Sequence, residues 1–202
     1  MTGARDIAPS SVTLGILAGG RGSRLGGCEK AWIVRDGQSQ VERIARRFEH
    51  QTHTVLVSAN RDAARFEALG FRVVADRVPD LGPIGGLDAL AQACGTPWLL
   101  TVPVDLVSVN DCLLPTLAST GGQGASVEDE DGVQPLVALW WVEALRGVVD
   151  ARLRGNDSER SVQDLQASLG MPRIRLNGVR FGNLNTRDDL DAASASLPAP
   201  HP

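Results

Sequence analysis

The chemistry-bearing residues begin at 14–30, LGILAGGRGSRLGGCEK, where an apolar run stops at Gly19 and Gly20. The loop that follows carries five glycines, the cations Arg21, Arg24 and Lys30, and one acid, Glu29. Glycine tolerates positive φ and has no side chain, so its backbone N–H groups can turn toward an anion. Guanidinium and ammonium groups then neutralise the anion's charge. An apolar strand running into such a loop reads as a phosphate cradle.

The other reactive side chains offer little competition. Cys28, Cys94 and Cys112 are an odd number without CxxC spacing, and in a reducing compartment no disulfide is expected. Cys28 reads as a small loop residue, and His50, His53 and His201 form no ligand cluster. The net charge of −4 argues against a nucleic-acid surface, so attraction for an anion must be local, as at 19–30 with three cations against one acid. No apolar run approaches the roughly 20 residues of a membrane span, and the first residues lack the apolar core of a signal peptide. A cytoplasmic location is the expectation, with no nucleic acid and no membrane as partners.

The elements that must position the loop alternate. Residues 13–18, 54–58, 72–75 and 98–102 read as short buried strands. Helix-like segments lie between them at 41–48, 62–69 and 86–93; the first places Val41, Ile44, Ala45 and Phe48 on one face. Alternation of this kind predicts βαβ units, a parallel sheet and helices on both faces. Ligands then bind beyond the carboxyl ends of the strands, where the glycine loop and Asp105 both fall. The second half predicts helices at 110–117, 143–153 and 161–169, and strands at 125–128, 136–140 and 174–176, including an antiparallel pair. Thr186 reads as the N-cap of a last helix, with Asp188 and Asp189 in its first turn. EDEDG, 128–132, reads as a solvated turn. The expectation is one α/β domain over 1–197, a Rossmann-like three-layer sandwich with a frayed tail at 198–202.

Two common glycine-loop patterns fail. A Walker A loop needs Ser or Thr after its lysine, but Ala31 follows Lys30. A dinucleotide fingerprint needs a third glycine where Leu25 stands, and Asn60 replaces its acidic ribose ligand. LAGGRGSRLGGCEKAW instead resembles the L-A-G-G-x-x-x-R-M-G-x-D-K signature of nucleotidyltransferases that move an NMP group from an NTP. Later segments recur in order: SANR at 58–61, VAD at 74–76, GPIGGL at 82–87, PVD at 103–105, PLVAL at 135–139, SERSV at 158–162 and NLNTRDDL at 183–190. Together they resemble the molybdenum cofactor guanylyltransferases over about 13–192. Glu29, Leu25, Trp32, Ser58 and Leu136 depart from that pattern.

The resemblance implies transfer of GMP from GTP to molybdopterin carrying molybdenum, with Mg²⁺ as cofactor. A nucleotide-binding half, about 13–105, would precede an acceptor-binding half, about 106–192. Leu17, Ala18 and Gly19 would present backbone to the nucleotide, and Gly20 and Gly22 would wrap its phosphates. Lys30 and Arg24 would contact phosphate. Asp105 would hold Mg²⁺, with the Asn185 amide oxygen a candidate second ligand. Asp76 would accept from the guanine N1–H and 2-amino group, with Asn60 on ribose or base, and Gly82, Gly85 and Gly86 would let backbone approach. Arg160 and the 135–139 strand are acceptor-site candidates. Transient partners would be molybdenum-insertion proteins and recipient molybdoenzymes or their chaperones. Plainer roles compete: an N-cap for Asp105, a salt bridge with Arg77 or Arg61 for Asp76, turn residues for Asn185 and the glycines, a surface cation for Arg24, and packing for Trp140 and Trp141. A cytidylyltransferase, a sugar-phosphate nucleotidyltransferase and a non-catalytic nucleotide-binding regulator are the competing functions, ahead of an oxidoreductase.

Overall fold

The computed structural model describes residues 7–19, 30–154, 161–193 and 195–196. After a 3-10 turn at Pro9–Ser11 come β1 (Val12–Leu17), the turn Lys30–Trp32, β2 (Val34–Arg35), β3 (Gln38–Ser39) and α1 (Gln40–Arg47). Then follow β4 (Thr54–Ser58), α2 (Ala63–Ala68), β5 (Arg72–Val74), α3 (Pro83–Ala93) and β6 (Trp98–Pro103). The second half contains α4 (Leu113–Ala118), β7 (Gly124–Asp129), β8 (Gly132–Trp141), α5 (Val142–Arg154) and α6 (Val162–Ser168). It ends with β9 (Arg173–Arg175), α7 (Arg187–Ala192) and β10 (Ala195–Ser196). No helix among the described residues is long and apolar enough to cross a membrane.

Among the described residues the main sheet runs β5-β4-β1-β6-β8-β7-β9. The first four strands are mutually parallel, β8 is antiparallel to β6 and β7, and β9 is parallel to β7. Helices cover both faces. Val41 and Ile44 of α1, Phe66 of α2 and Leu117 of α4 pack with Val12, Leu14 and Ile16. Leu87 and Leu90 of α3, Leu145 of α5 and Leu165 of α6 pack on the other face with Leu56, Leu99 and Trp140. The three-layer expectation and its antiparallel part are therefore met. The continuous apolar run of β1, fully buried along its length, is what a parallel strand covered on both faces requires.

The chain moves outward from β1 to β4 and β5, then returns through α3 to place β6 on the other side of β1. This reversal is the topological switch point, where adjacent loops diverge and leave a crevice at the carboxyl edge. Gly19 leaves β1 there, and Asp105 leaves β6.

Two expectations need correction, and one element lies outside them. The helix predicted at 86–93 begins at Pro83, so Gly85 and Gly86 lie in its first turn. Pro83 supplies a preset φ at N1, and Gly82, with φ 58° and ψ −141°, is the N-cap in a region open to glycine. The 128–132 segment is not all solvated: Asp129 is 1% exposed. It accepts from the N–H groups of Asp131 and Phe181 and the Gln134 amide, joining the β7–β8 hairpin to the 177–182 loop. A small second sheet, β10-β2-β3, was not foreseen; its strands are two residues long, too short to show a period of two.

Candidate active site

Two polar clusters sit at the carboxyl edge of the parallel strands. The first joins residues far apart in sequence. Lys30 Nζ donates to Asp105 Oδ2 at 2.7 Å and to Asn185 Oδ1 at 2.6 Å. Both members of the Lys30–Asp105 pair are about one-quarter exposed, so the cluster is sheltered yet reachable from solvent.

Backbone pairing explains this convergence. Past β6 the chain pairs antiparallel with the segment before α7. Val107 N–H donates to Gly182 O, Ser108 N–H to Phe181 O and Leu184 N–H to Asp105 O, and Leu106 bridges Asn183. Asn185 therefore emerges beside Asp105. Asp189 Oδ2 accepts from the N–H groups of Asn185 and Thr186, and the Thr186 hydroxyl accepts from Asp189 N–H. The Asn185 N–H foremost, then the Thr186 hydroxyl and N–H, hold the Asp189 carboxyl below its ordinary range. Thr186 is the N-cap that its sequence indicated. Asp105 is not an N-cap, because α4 begins at Leu113 with Cys112 before it.

Lys30 is held from the other side. Two residues on, Trp32 is buried against Phe66, with centroids 4.4 Å apart. Its Nε1–H donates to Asp62 at 2.9 Å, and the Arg65 guanidinium lies 3.9 Å over its ring. The bulky departure at Trp32 thus moors the end of the glycine loop to α2. Sequence reading also missed two supports for the chain beyond Asp105. The Gln40 amide donates to Leu106 O, and Arg35 donates to Val107 O and Ala193 O. Both lie in the polar stretch RDGQSQ at 35–40, where nothing local sets them apart from their neighbours.

The second cluster lies beyond β4 and β5. Asn60 Nδ2 donates to Asp76 Oδ2 at 2.9 Å, and Asp76 N–H donates to Asn60 Oδ1 at 2.9 Å. A Cβ on Gly85 would stand 2.9 Å from Asp76 Oδ2, so this glycine admits the carboxylate against α3. On Gly86 it would stand 2.8 Å from both Leu17 Cδ2 and Ser58 Oγ, so there glycine serves helix–strand packing. Arg77, the expected competitor for Asp76, binds Asp88 and Asp150 instead. The hydrogen bonds that Arg77 donates to Asp88, foremost, raise the Arg77 pKa above its ordinary value.

Between the clusters β1 ends. Leu17 O accepts from Val104 N–H and Ala18 N–H donates to Ser58 O, so these groups tie β1 to its neighbours. Gly19 is exposed, with open space where a Cβ would point. From β5 to β6 there are three inter-strand steps, roughly 14 Å at about 4.8 Å each, a span suited to an extended nucleotide. Gly20, Gly22 and Arg24 lie outside the described residues, as do Arg160, Cys28, Glu29 and Leu25. Trp140 is fully buried and donates to Thr101, while Trp141 packs edge-on against Trp98; both serve packing.

The chain resembles known proteins over most of its length. The family model for the MobA-like NTP transferase domain matches residues 14–169. The molybdenum cofactor guanylyltransferase of Cupriavidus necator is 35% identical over 195 residues, covering 91% of this chain and 96% of that relative. The one from Ralstonia nicotianae is 45% identical over 147 residues, covering 66% and 72%. Among solved structures, molybdopterin-guanine dinucleotide biosynthesis protein A from Archaeoglobus fulgidus matches with a TM-score of 0.66 at 21% identity, covering 90% of this chain and 96% of that one. A 2-C-methyl-D-erythritol 4-phosphate cytidylyltransferase from Thermus thermophilus matches with a TM-score of 0.66 at 17% identity, covering 89% and 95%. At these identities the two structures share the fold.

Proposed function

The chain belongs to the MobA-like NTP transferase family, and from that premise we propose that it transfers GMP from GTP to molybdopterin carrying molybdenum. The products are the guanine dinucleotide form of the cofactor and pyrophosphate. The observation that carries the reading is the pair of clusters on one sheet edge: Lys30, Asp105 and Asn185 at one end, Asn60 and Asp76 at the other.

The acceptor's phosphate oxygen attacks the α-phosphorus, a new P–O bond forms, and the bond to the pyrophosphate oxygen breaks. A phosphate monoester has a second pKa of about 6, so the nucleophile is already anionic near neutral pH and needs no strong base. The protein's task is to position the groups and neutralise charge. Lys30, released from Asp105 and Asn185, reaches the phosphates. Gly19 offers backbone to them, and the family resemblance assigns the remaining phosphate contacts to Gly20, Gly22 and Arg24.

The residues present suit magnesium. Lys30 already places a positive charge between a carboxylate oxygen and an amide oxygen, both hard donors, within hydrogen-bonding distance. Among the described residues no group of three or more His, Cys, Asp and Glu converges. Magnesium needs only one or two carboxylates when phosphates and water complete its shell. Asp105 and Asn185 would hold it; when bound it neutralises charge on the phosphates.

At the far end Asp76 reads guanine. A carboxylate has about four lone-pair sites; Asn60 uses one and fixes the group's orientation. Guanine N1–H and its 2-amino group donate as a pair, which cytosine cannot do. The acceptor would lie on the second half, toward Arg160 and the 135–139 strand. A cytoplasmic setting and handover from molybdenum-insertion proteins to recipient molybdoenzymes or their chaperones complete the proposal.

The test is incubation with Mg²⁺, molybdenum-loaded molybdopterin and each NTP, with pyrophosphate and dinucleotide measured. GTP-dependent formation of both is expected. A preference for CTP would overturn the guanine assignment, and tight binding without turnover would favour a regulator.

A further inference from the structure

We infer that Arg77 is a positioning residue for base recognition, clamping the loop that carries Asp76 onto α3 through the buried carboxylate of Asp88. This rests on the proposed reading of guanine by Asp76.

Asp88 is 0% exposed, midway along a helix whose neighbouring positions Leu87 and Leu90 are core. A carboxylate in such surroundings is tolerated when a cation meets it with full hydrogen bonding. Arg77 does so as a fork: Nε donates to Oδ2 at 2.7 Å and Nη2 to Oδ1 at 2.6 Å. The bidentate arrangement fixes direction as well as distance. Arg77 Nη2 also donates to Asp150 of α5 at 3.3 Å, so the loop is tied to a helix of the second half.

The clamp's place in the chain gives it consequence. Asp76 is the preceding residue, and its carboxylate rests against Gly85. Gly85 and Asp88 are three residues apart on α3 and share a face. Residues 76 and 77 are therefore pinned at adjacent points of one helix face, the carboxylate over Gly85 and the guanidinium on Asp88. The loop beyond is exposed from Arg77 to Asp80, with Val78 40% exposed and Asp80 at φ 61°. Apart from the clamp, Asp76 is oriented by Asn60, itself exposed. A buried ion pair can often be replaced by apolar residues without loss of stability. What the Arg77–Asp88 fork adds is orientation of its neighbour.

Binding of GTP and ATP, without acceptor, and thermal unfolding are measured for the parent, Asp76→Asn, Arg77→Lys and the paired Arg77→Met/Asp88→Leu, which removes the fork without stranding a charge. In the paired variant the preference for GTP over ATP should fall about tenfold, the worth of one charge-assisted contact, with ATP binding and the melting temperature close to the parent's. Arg77→Lys, which keeps the charge but not the fork, should lose part of the preference, and it decides the matter if the paired variant does not fold. Equal weakening of GTP and ATP, or an unchanged preference in the folded Arg77 variants while Asp76→Asn loses it, would overturn the clamp alone. An unchanged preference in Asp76→Asn would overturn the base-reading assignment and the clamp with it.

Discussion

Replacing Gly85 with alanine should separate stability from recognition. The new Cβ would lie 2.9 Å from Asp76 Oδ2, 3.0 Å from its Cγ and 3.4 Å from Leu81 Cβ. A comfortable carbon–oxygen contact is about 3.3–3.6 Å, so the carboxylate must retreat by roughly half an ångström. The Leu81 contact is ordinary, and a carboxylate at the end of a side chain moves at little cost to the fold. Its 2.9 Å hydrogen bond from Asn60, however, would stretch toward 3.4 Å, beyond the usual 2.7–3.2 Å range. Alanine gains up to about 1 kcal/mol over glycine within a helix. The weakened Asn60–Asp76 contact removes about 1 kcal/mol, so urea unfolding should move by less than about 1 kcal/mol. A displaced charge-assisted contact to guanine costs about 1.5–3 kcal/mol, or roughly 10- to 150-fold in GTP affinity. Titration of GTP and ATP by calorimetry, beside urea unfolding, reads both quantities. Unchanged GTP affinity, or equal losses for GTP and ATP, would refute the reasoning.

Asp105→Asn keeps the side chain's size but removes its charge; pyrophosphate release should fall about 10²–10³-fold, the range for one preorganised charge-stabilising group, with the melting temperature as control. Retained turnover would remove Asp105 from the catalytic account. Burial alone would raise the Asp129 carboxyl, but hydrogen bonds from Phe181 foremost, then Gln134, Asp131 and Gly132, outweigh it and hold it below the ordinary range. Its stabilising contribution is therefore full above the unfolded value of about 3.9 and is lost as pH falls through the lower native value. Urea midpoints measured between pH 7 and pH 2 should fall less steeply in Asp129→Asn than in the parent, and parallel curves would contradict this. Trp32→Phe loses the indole bond to Asp62 and weakens the Arg65 stacking; it should lower the unfolding free energy by about 1–2 kcal/mol, measured in urea. No change would mean that the cluster does not moor the loop.

Much of the scaffold could be read in advance because its signals are local. The strands read at 13–18, 54–58, 72–75 and 98–102 are β1, β4, β5 and β6, with ends differing by at most one residue, and the Thr186 cap lies within four residues of its partner Asp189. Other features required neighbours distant in sequence. Gly85 and Gly86 look like turn glycines until Asp76, Leu17 and Ser58 are packed against them. The acidic 128–132 segment looks solvated until Phe181 N–H and Gln134 reach Asp129.

By itself, the sequence determined residue chemistry: a glycine loop with cations, carboxylates at strand ends and an alternation that forces a covered parallel sheet. Periodicity and motif spacing suffice for this because they act over a few residues. Only the tertiary structure decided that Lys30, Asp105 and Asn185 share one cluster. Their closeness depends on pairing of the chain after β6 with the chain before α7. It likewise decided that Arg77 serves Asp88 rather than Asp76. The buried carboxylate offers the guanidinium a bidentate partner, and which charges become buried is set by how α3 packs on the sheet.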